Sequence, residues 1–400
     1  MDHSDDAHSS SGENDTMPYK VGDILPLQTG DSTILVLIES ISLPFTETCS
    51  MIVSFVPPLT NHQIAECSMG RRKPAHNINY NKAILKMFDW RYATGARTCI
   101  GASDWDTQRR NAYVKFLRSG RARRYLDCLR QMRMFGESER RRYNVDYIEA
   151  EDVPEGEQII GVQHQETCLL GLQAKWYHRE VAVYNRMRPY QGREIPRFIS
   201  TVAMQMGGLD DQSSKGEENT PGGTRNPGRR FSHVNNQTKS KDDEFFTIRG
   251  ILIEYIEGFS LNRLSPRHAP QDEWQDIFDQ ALGNTRLMSS NNILNLNVHP
   301  RDITVCRNRD PNNPNRYRIV NVDFRSSRLR RGDENDFSWR VAQGMAHEER
   351  IFGSCMQRRL RGLFGFDLDI SSTQGEFQVD GDDILDLLVV SREIEQMQED

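Results

Sequence analysis

Two short apolar runs with polar residues at fixed spacing constrain this chain more than any other feature of its sequence. The first, NILNLNVHPRDITV (residues 292–305), carries Asn297 and Asp302 five positions apart. The second, YRIVNVDFRS (residues 317–326), closes its apolar part on a lone Asp323. Short apolar runs bounded by polar loops are typical of buried strands. We therefore expect a loop with two polar side chains beside a strand that ends in an aspartate, and we expect them to form one wall of a site.

Composition limits the class of protein. With 400 residues, of which 36% are hydrophobic, the chain is long enough to build a real core. Its apolar runs, such as ILVLIESI (34–41) and ILDLLVV (384–390), are too short to span a bilayer, so we predict no membrane segment. The first twenty residues lack the pattern of a signal peptide, and the seven cysteines form no CxxC. These features predict an intracellular protein of the cytoplasm or nucleus, not a secreted one, without a structural metal.

The charge is unevenly distributed. A net charge of −6 argues against a general nucleic-acid binder, yet residues 109–142 are rich in arginine. Apolar residues recur among these arginines at helical spacing, which favours an amphipathic helix pair with a solvated basic face. A phosphate-binding surface remains the alternative interpretation of this basic arm.

The rest of the chain predicts alternating strands and helices. We expect strands at 32–43, 50–56, 82–90, 197–203 and 249–256, helices at 166–188 and 271–290, and a helical, basic region at 337–366. The polar tract 207–244 and the start of the chain are too rich in Gly, Ser, Asn and Asp to bury a core, which predicts disorder.

Six blocks of sequence, taken in order, resemble one known group of proteins. They are AILKMFDWRYA, EVAVYNRMRPYQGREIPRF, GILIEYIEGFSL, ILNLNVHPRDITV, VNVDFRSSRLRR and GSCMQRRLRGLFGF. They resemble the divergent fungal protein kinase-like proteins, which are related to aminoglycoside phosphotransferases and choline kinases, over about residues 20–366. The resemblance implies an α+β, two-lobed protein kinase-like fold with a small, mainly antiparallel β N-lobe and a mostly helical C-lobe.

The resemblance also implies the domain organisation. A disordered tail (1–18) precedes an N-lobe (19–256) that carries a helical insertion (103–145) and a disordered insertion (207–244). A reduced helical C-lobe (257–366) and an acidic tail (367–400) follow.

Cofactor-binding residues follow from the same resemblance. ATP and Mg²⁺ are the implied cofactors. Lys86, the one lysine within an apolar strand, would contact the α- and β-phosphates, and Glu180 would hold it by an ion pair. Backbone groups of Glu254 and Ile256 would meet the adenine edge. The residues alone allow another interpretation, in which Lys86 points outward from an edge strand and Glu180 faces solvent.

Catalytic residues depart from the family pattern. In the family loop an Asp accepts the substrate proton and an Asn five residues later binds the second metal, whereas here these positions are Asn297 and Asp302. Asp302 and Asp323 would bind magnesium, because hard cations prefer carboxylate oxygen. An amide cannot accept the proton, and loss of a general base typically costs about 10²- to 10⁴-fold in rate. His299 would replace the base only if its ring points inward, and we expect it to face solvent or the loop backbone.

Two further departures weaken the implied activity. The turn LPFTETCS (43–50) contains no glycine, so it offers no ordinary phosphate cradle, and Arg325 follows Phe324 where kinases often have glycine. The chain is therefore expected to be a weak or inactive ATP-dependent phosphotransferase that acts on a hydroxyl group. The alternative is a pseudokinase, a binding or scaffold module without turnover. The hydroxyl acceptor or protein partner and the oligomeric state stay open.

Overall fold

Six strands between residues 24 and 254 form the frame of the protein. The computed structural model describes residues 17–57, 81–131, 161–206, 245–308 and 315–371. Within this part of the chain the strands are β1 (Ile24–Thr29), β2 (Ser32–Ile41), β3 (Cys49–Phe55), β4 (Lys82–Met87), β5 (Phe198–Gln205) and β6 (Thr247–Glu254). They close into one barrel in the order β1-β2-β3-β4-β6-β5, and neighbouring strands pair antiparallel.

Alternation of side chains along the strands creates the barrel core. On β3 the residues Cys49, Met51, Val53 and Phe55 are buried, while those between them are half-buried. Successive side chains of a strand point to opposite faces, so these four lie on the inside. The predicted strands at 32–43, 50–56, 82–90, 197–203 and 249–256 are confirmed as β2 to β6 with small shifts of their ends.

The predicted two-lobed protein kinase-like fold, with a small antiparallel β N-lobe and a mostly helical C-lobe, is wrong. The structure instead has a closed six-stranded antiparallel barrel among the described residues. Strand β1, which the sequence analysis did not predict, pairs with β2 along its length and with β5 at Gln28 and Ala203. This pairing removes both free edges of the sheet, which is a common way to prevent further strand addition.

Helices cover one side of the barrel. They are α1 (Thr94–Cys99), α2 (Thr107–Arg118), α3 (Arg121–Gln131) and α4 (Val162–Arg186). The predicted amphipathic helix pair is confirmed where the basic arm is described, since α2 buries Tyr113, Phe116 and Leu117. The predicted helix at 166–188 corresponds to α4, which begins four residues earlier.

A buried cluster of charges fastens these helices together. The Glu166 carboxylate on α4 accepts hydrogen bonds from Arg97 on α1 at 2.7 and 3.0 Å and from Arg109 on α2 at 3.0 Å. Arg109 therefore points inward, although the arm was predicted to present a solvated basic face. A buried charge needs such partners, because isolated burial is very costly.

A second core forms from the later part of the chain. Its elements are β7 (Phe259–Ser260), α5 (Trp274–Ser290), β9 (Ile303–Arg307), β10 (Tyr317–Asn321) and α7 (Glu348–Phe364). The same part of the chain also contains β8 (Ile293–Asn295), β11 (Ser327–Leu329) and α6 (Asp336–Ala346), and β8 and β11 pack with the barrel core through Ile293 and Leu329. Phe278 and Phe352 stack at the centre of the second core with ring centroids 5.7 Å apart. The predicted helix at 271–290 and helical region at 337–366 are confirmed, the second being divided at His347, which has a positive φ of 46°.

Hydrogen bonds to backbone carbonyls join this second core to the barrel side. Arg318 on β10 donates from Nη1 to the Gly192 carbonyl at 2.7 Å, and the Asn321 amide donates to the Glu194 carbonyl at 3.0 Å. Phe324 follows β10 but packs with the barrel core, against Tyr184 of α4. These contacts fix the loop after β10 beside β4 and α4.

Several predictions concern segments outside the described residues. These are the disorder predicted for most of 1–18 and for 207–244, the later part of the helical insertion 103–145, and nearly all of the acidic tail 367–400. Among the helices that the structure does describe, none combines the length and the apolar character needed to cross a membrane.

Candidate functional site

Lys86 points into the protein rather than to solvent. Its strand, β4, lies between β3 and β6, so Lys86 is not on an edge. The side chain is only 8% exposed, and its Nζ donates to Glu180 Oε1 at 2.6 Å and to the Val322 carbonyl at 2.7 Å. The outward-pointing alternative is thereby excluded. Val322, whose carbonyl the ammonium contacts, precedes Asp323 in the loop that follows β10.

Glu180 completes this ion pair from the interior of α4. It is fully buried, and its second oxygen, Oε2, has no hydrogen-bond partner among the described residues. One helical turn later lies Tyr184, also fully buried. Burial, with the nearby charges of Glu180 and Glu254, raises the pKa of the Tyr184 hydroxyl well above its usual value. The Tyr184 hydroxyl also has no partner among the described residues, so two buried polar atoms without hydrogen bonds lie one turn apart on α4.

Arg325 neutralises Asp323 within the same short loop. The Asp323 Oδ1 accepts the Arg325 backbone amide at 3.2 Å, and Oδ2 accepts the Arg325 guanidinium in a short ion pair. The guanidinium also contacts Glu47 Oε2 through Nη2 at 3.0 Å. Arg325 therefore links the loop after β10 to the turn between β2 and β3.

Hydrogen bonds from α1 and α4 hold the turn between β2 and β3 in place. The Phe45, Thr46 and Glu47 carbonyls accept hydrogen bonds from Thr94, Gly95 and Gln173 respectively, at 2.9, 2.7 and 2.6 Å between nitrogen and oxygen. At Gly95 a Cβ atom would come within 2.9 Å of the Thr46 carbonyl oxygen, so a larger residue would disturb the contact. The turn at 43–50 thus contains no glycine, and hydrogen bonds from α1 and α4 hold it in one position.

Asp302 lies close enough to these charges to be influenced by them. It ends the 3₁₀ turn Pro300–Asp302 and is half-buried. Burial raises the pKa of its carboxyl. The positive charges of Arg325, Arg301 and Lys86 lower this pKa, with Arg325 having the largest effect of the three. The Val322 amide donates to the Asp302 carbonyl at 3.0 Å, and the Val322 carbonyl accepts from Lys86, so the Asp302 backbone lies beside the residue that Lys86 contacts.

Asn297 does not share this buried environment. It is exposed, in the turn that follows β8. His299 accepts the Arg301 amide through Nδ1 at 3.1 Å, as expected for a ring that faces the loop backbone. Burial and the charge of Arg301 lower the pKa of His299, which further favours its neutral form.

Glu254 and Ile256 lie where β6 leaves the barrel. The Glu254 amide donates to the Arg197 carbonyl at 2.9 Å, and its Oε2 accepts the Arg197 amide at 3.0 Å. Glu254 therefore joins β6 to the segment that leads into β5. Ile256 is half-buried in the connection to β7.

Anions and metal ions fit this arrangement differently. Lys86 and Arg325 supply two nearly buried cations, which suits phosphate oxygens. Magnesium does not fit Asp323 as it stands, because both carboxylate oxygens already accept from Arg325. No group of three or more His, Cys, Asp or Glu side chains among the described residues could hold a metal ion.

Glu348 supports the loop that carries Asn297. Burial raises the pKa of its carboxyl to about 8, although a hydrogen bond from the Asn295 backbone amide lowers it, and Glu349 adds to the rise. The contact connects the start of α7 to β8, two residues before Asn297.

Glu348 gives the protein a pH-dependent stability. Between about pH 4.5 and pH 8 the native carboxyl keeps a proton that the unfolded chain releases, so stability falls as the pH rises through this window. We expect Glu348→Gln to remove a slope of up to roughly 1.4 kcal/mol per pH unit. Urea unfolding at pH 5, 6.5 and 8 measures this difference. If the free energy of unfolding depends on pH in the same way in wild type and variant, Glu348 is not the source of the pH dependence.

Comparisons with known proteins give distant structural similarity alone. No family model matches the chain, and no curated protein matches it. A solved structure that does match is the Rio2 kinase–ADP/Mg²⁺–phosphoaspartate complex from Chaetomium thermophilum, at 9% identity and a TM-score of 0.37. The match covers 90% of this chain and 73% of that chain.

Proposed function

We propose that this protein is a degenerate kinase-like protein that binds ATP at Lys86 and turns it over weakly or not at all. The observation that carries the proposal is the buried ion pair of Lys86 and Glu180, whose ammonium also contacts the Val322 carbonyl beside Asp323. A buried lysine on a central strand, held by a helix glutamate and a loop carbonyl, has no evident role in barrel packing. Phosphate binding gives it one.

Each side chain has a distinct part in this proposal. Lys86 has three N–H donors, of which the two bonds to Glu180 and Val322 use two, and the third would reach a phosphate oxygen. Glu180 keeps the ammonium charged and oriented. The adenine would lie at Glu254 to Ile256, where β6 ends. ATP, when bound, supplies the transferable phosphoryl group.

Catalysis would be weak because the loop lacks a base where one is needed. Asn297 is an exposed amide and cannot accept a proton, while Asp302 is half-buried among the cations. Phosphoryl transfer depends chiefly on positioning and on charge stabilisation, so loss of the base would slow turnover without abolishing nucleotide binding. The acceptor would be a hydroxyl compound.

Calorimetric titration with ATP in magnesium buffer tests the proposal. We expect wild-type protein to bind, and the double variant Lys86→Met/Glu180→Gln to lose binding, because it removes the ammonium without leaving a buried unpaired carboxylate. Lys82→Met is the matched control, since Lys82 lies on the same strand but pairs at the surface with Glu39. No binding by wild type, or equal binding by the double variant, would contradict the proposal.

Restoring the family order of the loop residues tests the catalytic part. We expect Asn297→Asp/Asp302→Asn to raise ATP turnover, measured as phosphate release, by about 10²- to 10⁴-fold, because a general base returns. Asp302→Asn alone is the control and should give no gain. If the double variant releases phosphate no faster than wild type, the missing base is not what limits turnover.

A pseudokinase that serves as a binding or scaffold module is the second candidate function. The observation that favours it is the bridge from Asp323 through Arg325 to Glu47, which occupies both oxygens of the carboxylate. If wild-type protein binds ATP but Asn297→Asp/Asp302→Asn releases no phosphate, the protein is better described as a pseudokinase.

A further inference from the structure

We infer that Arg325 is a built-in counter-ion for Asp323, so that this site binds nucleotide phosphates without a divalent cation. The inference rests on the proposed function and deepens it, because it states which form of the ligand the site takes. The observation behind it is the double contact of Arg325 with Asp323, together with the reach of the same guanidinium to Glu47.

The guanidinium occupies the space that a metal ion would need. Asp323 accepts from the Arg325 amide through one oxygen and from its guanidinium through the other. The two side chains are 13% and 9% exposed, so water screens the pair weakly. Mg²⁺ demands near-octahedral oxygen ligands at about 2.0–2.1 Å. A divalent ion at Asp323 would have to displace Arg325 or lie beside a second positive charge.

The bridge is braced from the opposite side. Glu47, the other partner of the guanidinium, belongs to the turn that Thr94, Gly95 and Gln173 hold by hydrogen bonds to three successive carbonyls. A carboxylate on a flexible turn could leave the guanidinium easily, whereas this one is fixed by α1 and α4. The structure therefore maintains Arg325 between two carboxylates as a permanent feature of the site.

Arg325 can also contact the ligand directly. A guanidinium carries five N–H donors, and its bonds to Asp323 and Glu47 use two of them. Arginine suits phosphate because its planar donors match two phosphate oxygens at once. Together, Lys86 and Arg325 offer two positive charges to the phosphates. Magnesium ordinarily provides this neutralisation of phosphate charge.

Titration of ATP in EDTA and in magnesium chloride tests the inference. We expect the wild-type Kd to agree within about threefold between the two buffers. We expect Arg325→Gln to weaken binding in EDTA by about 10- to 100-fold, the effect of losing a charge-assisted hydrogen bond, and to recover with magnesium because Asp323 is freed.

Two controls keep the test specific. Arg328→Gln removes an arginine three residues later, which pairs with Glu334 instead of Asp323, and should leave both titrations unchanged. Arg325→Lys keeps a positive charge beside Asp323, so its ATP binding should stay independent of magnesium. It also serves as the second variant if Arg325→Gln does not fold.

The possible results separate the inference from the proposed function. Wild-type binding that requires magnesium overturns the inference and leaves the proposed function intact. Binding that appears only after Arg325→Gln also overturns it, because Arg325 would then block the site. The absence of ATP binding in either buffer, by wild type and variants alike, overturns the proposed function and the inference together.

Discussion

Lys86→Met is expected to lower the free energy of unfolding by about 3–5 kcal/mol, the usual cost of leaving one member of a buried ion pair without its partner. The partner, Glu180, is fully buried and has only one of its oxygens hydrogen-bonded in the part of the chain described. The unpaired carboxylate would have to take up a proton or draw in water. Urea denaturation measures the loss.

Two variants distinguish this electrostatic effect from simple loss of packing. Lys86→Met/Glu180→Gln should recover most of the stability, because neither group is then charged. Lys82→Met, on the same strand but at the surface, should leave the urea midpoint unchanged. A double variant as unstable as Lys86→Met alone would show that packing, and not charge, explains the loss.

Glu166→Gln should have an effect of similar size. It leaves Arg97 and Arg109 buried with a neutral partner, and the side chains of these arginines are only 2% and 9% exposed. Breaking a buried charge network typically costs about 3–5 kcal/mol. Urea denaturation measures the total loss, and hydrogen exchange should show earlier opening of α1 and α2, which the network attaches to α4.

A surface carboxylate provides the comparison for Glu166. Glu349 pairs with Arg286, whose side chain is 45% exposed, so Glu349→Gln should change the urea midpoint little. Equal midpoints for Glu166→Gln and Glu349→Gln would show that the buried network contributes no more than a surface ion pair.

The lysine in its strand and the glutamate in its helix were visible in the sequence, whereas their pairing was implied only by the family resemblance. A single lysine within an apolar strand and a glutamate within an apolar helix are each uncommon, and the structure brings Lys86 and Glu180 to 2.6 Å. The positions of Asp302 and Asp323, in a loop and at a strand end, also followed from short apolar runs. Features of this kind depend on residues that are close in sequence, which is where periodicity is informative.

Closure of the barrel could not be predicted in the same way. The strand that closes it, β1, has Pro26 in its middle, and proline argues against a central strand. Its pairing of Gln28 with Ala203 joins distant parts of the chain and leaves no local signature. The kinase-like block order therefore predicted the strands but gave the wrong architecture for them.

The contacts of Arg325 were missed for a related reason. Its replacement of glycine was visible in the sequence and was interpreted only as loss of a flexible pivot. Side-chain direction is set by tertiary packing, here by the loop geometry that returns the guanidinium to Asp323 and by the braced turn that presents Glu47. Gly95, which permits α1 to approach Thr46 closely, is the sequence signal that could have indicated the braced turn.

The most direct test of the central claim is chemical labelling of Lys86 with an acyl-phosphate derivative of ATP, which acylates a lysine held beside the bound phosphates. Mass spectrometry of the intact, folded protein identifies the modified residue. We predict labelling at Lys86 that excess ATP suppresses, with Lys82 unlabelled or labelled regardless of ATP. Labelling of Lys82 and other surface lysines alone, with Lys86 untouched, would contradict the claim that the buried ammonium faces a nucleotide phosphate.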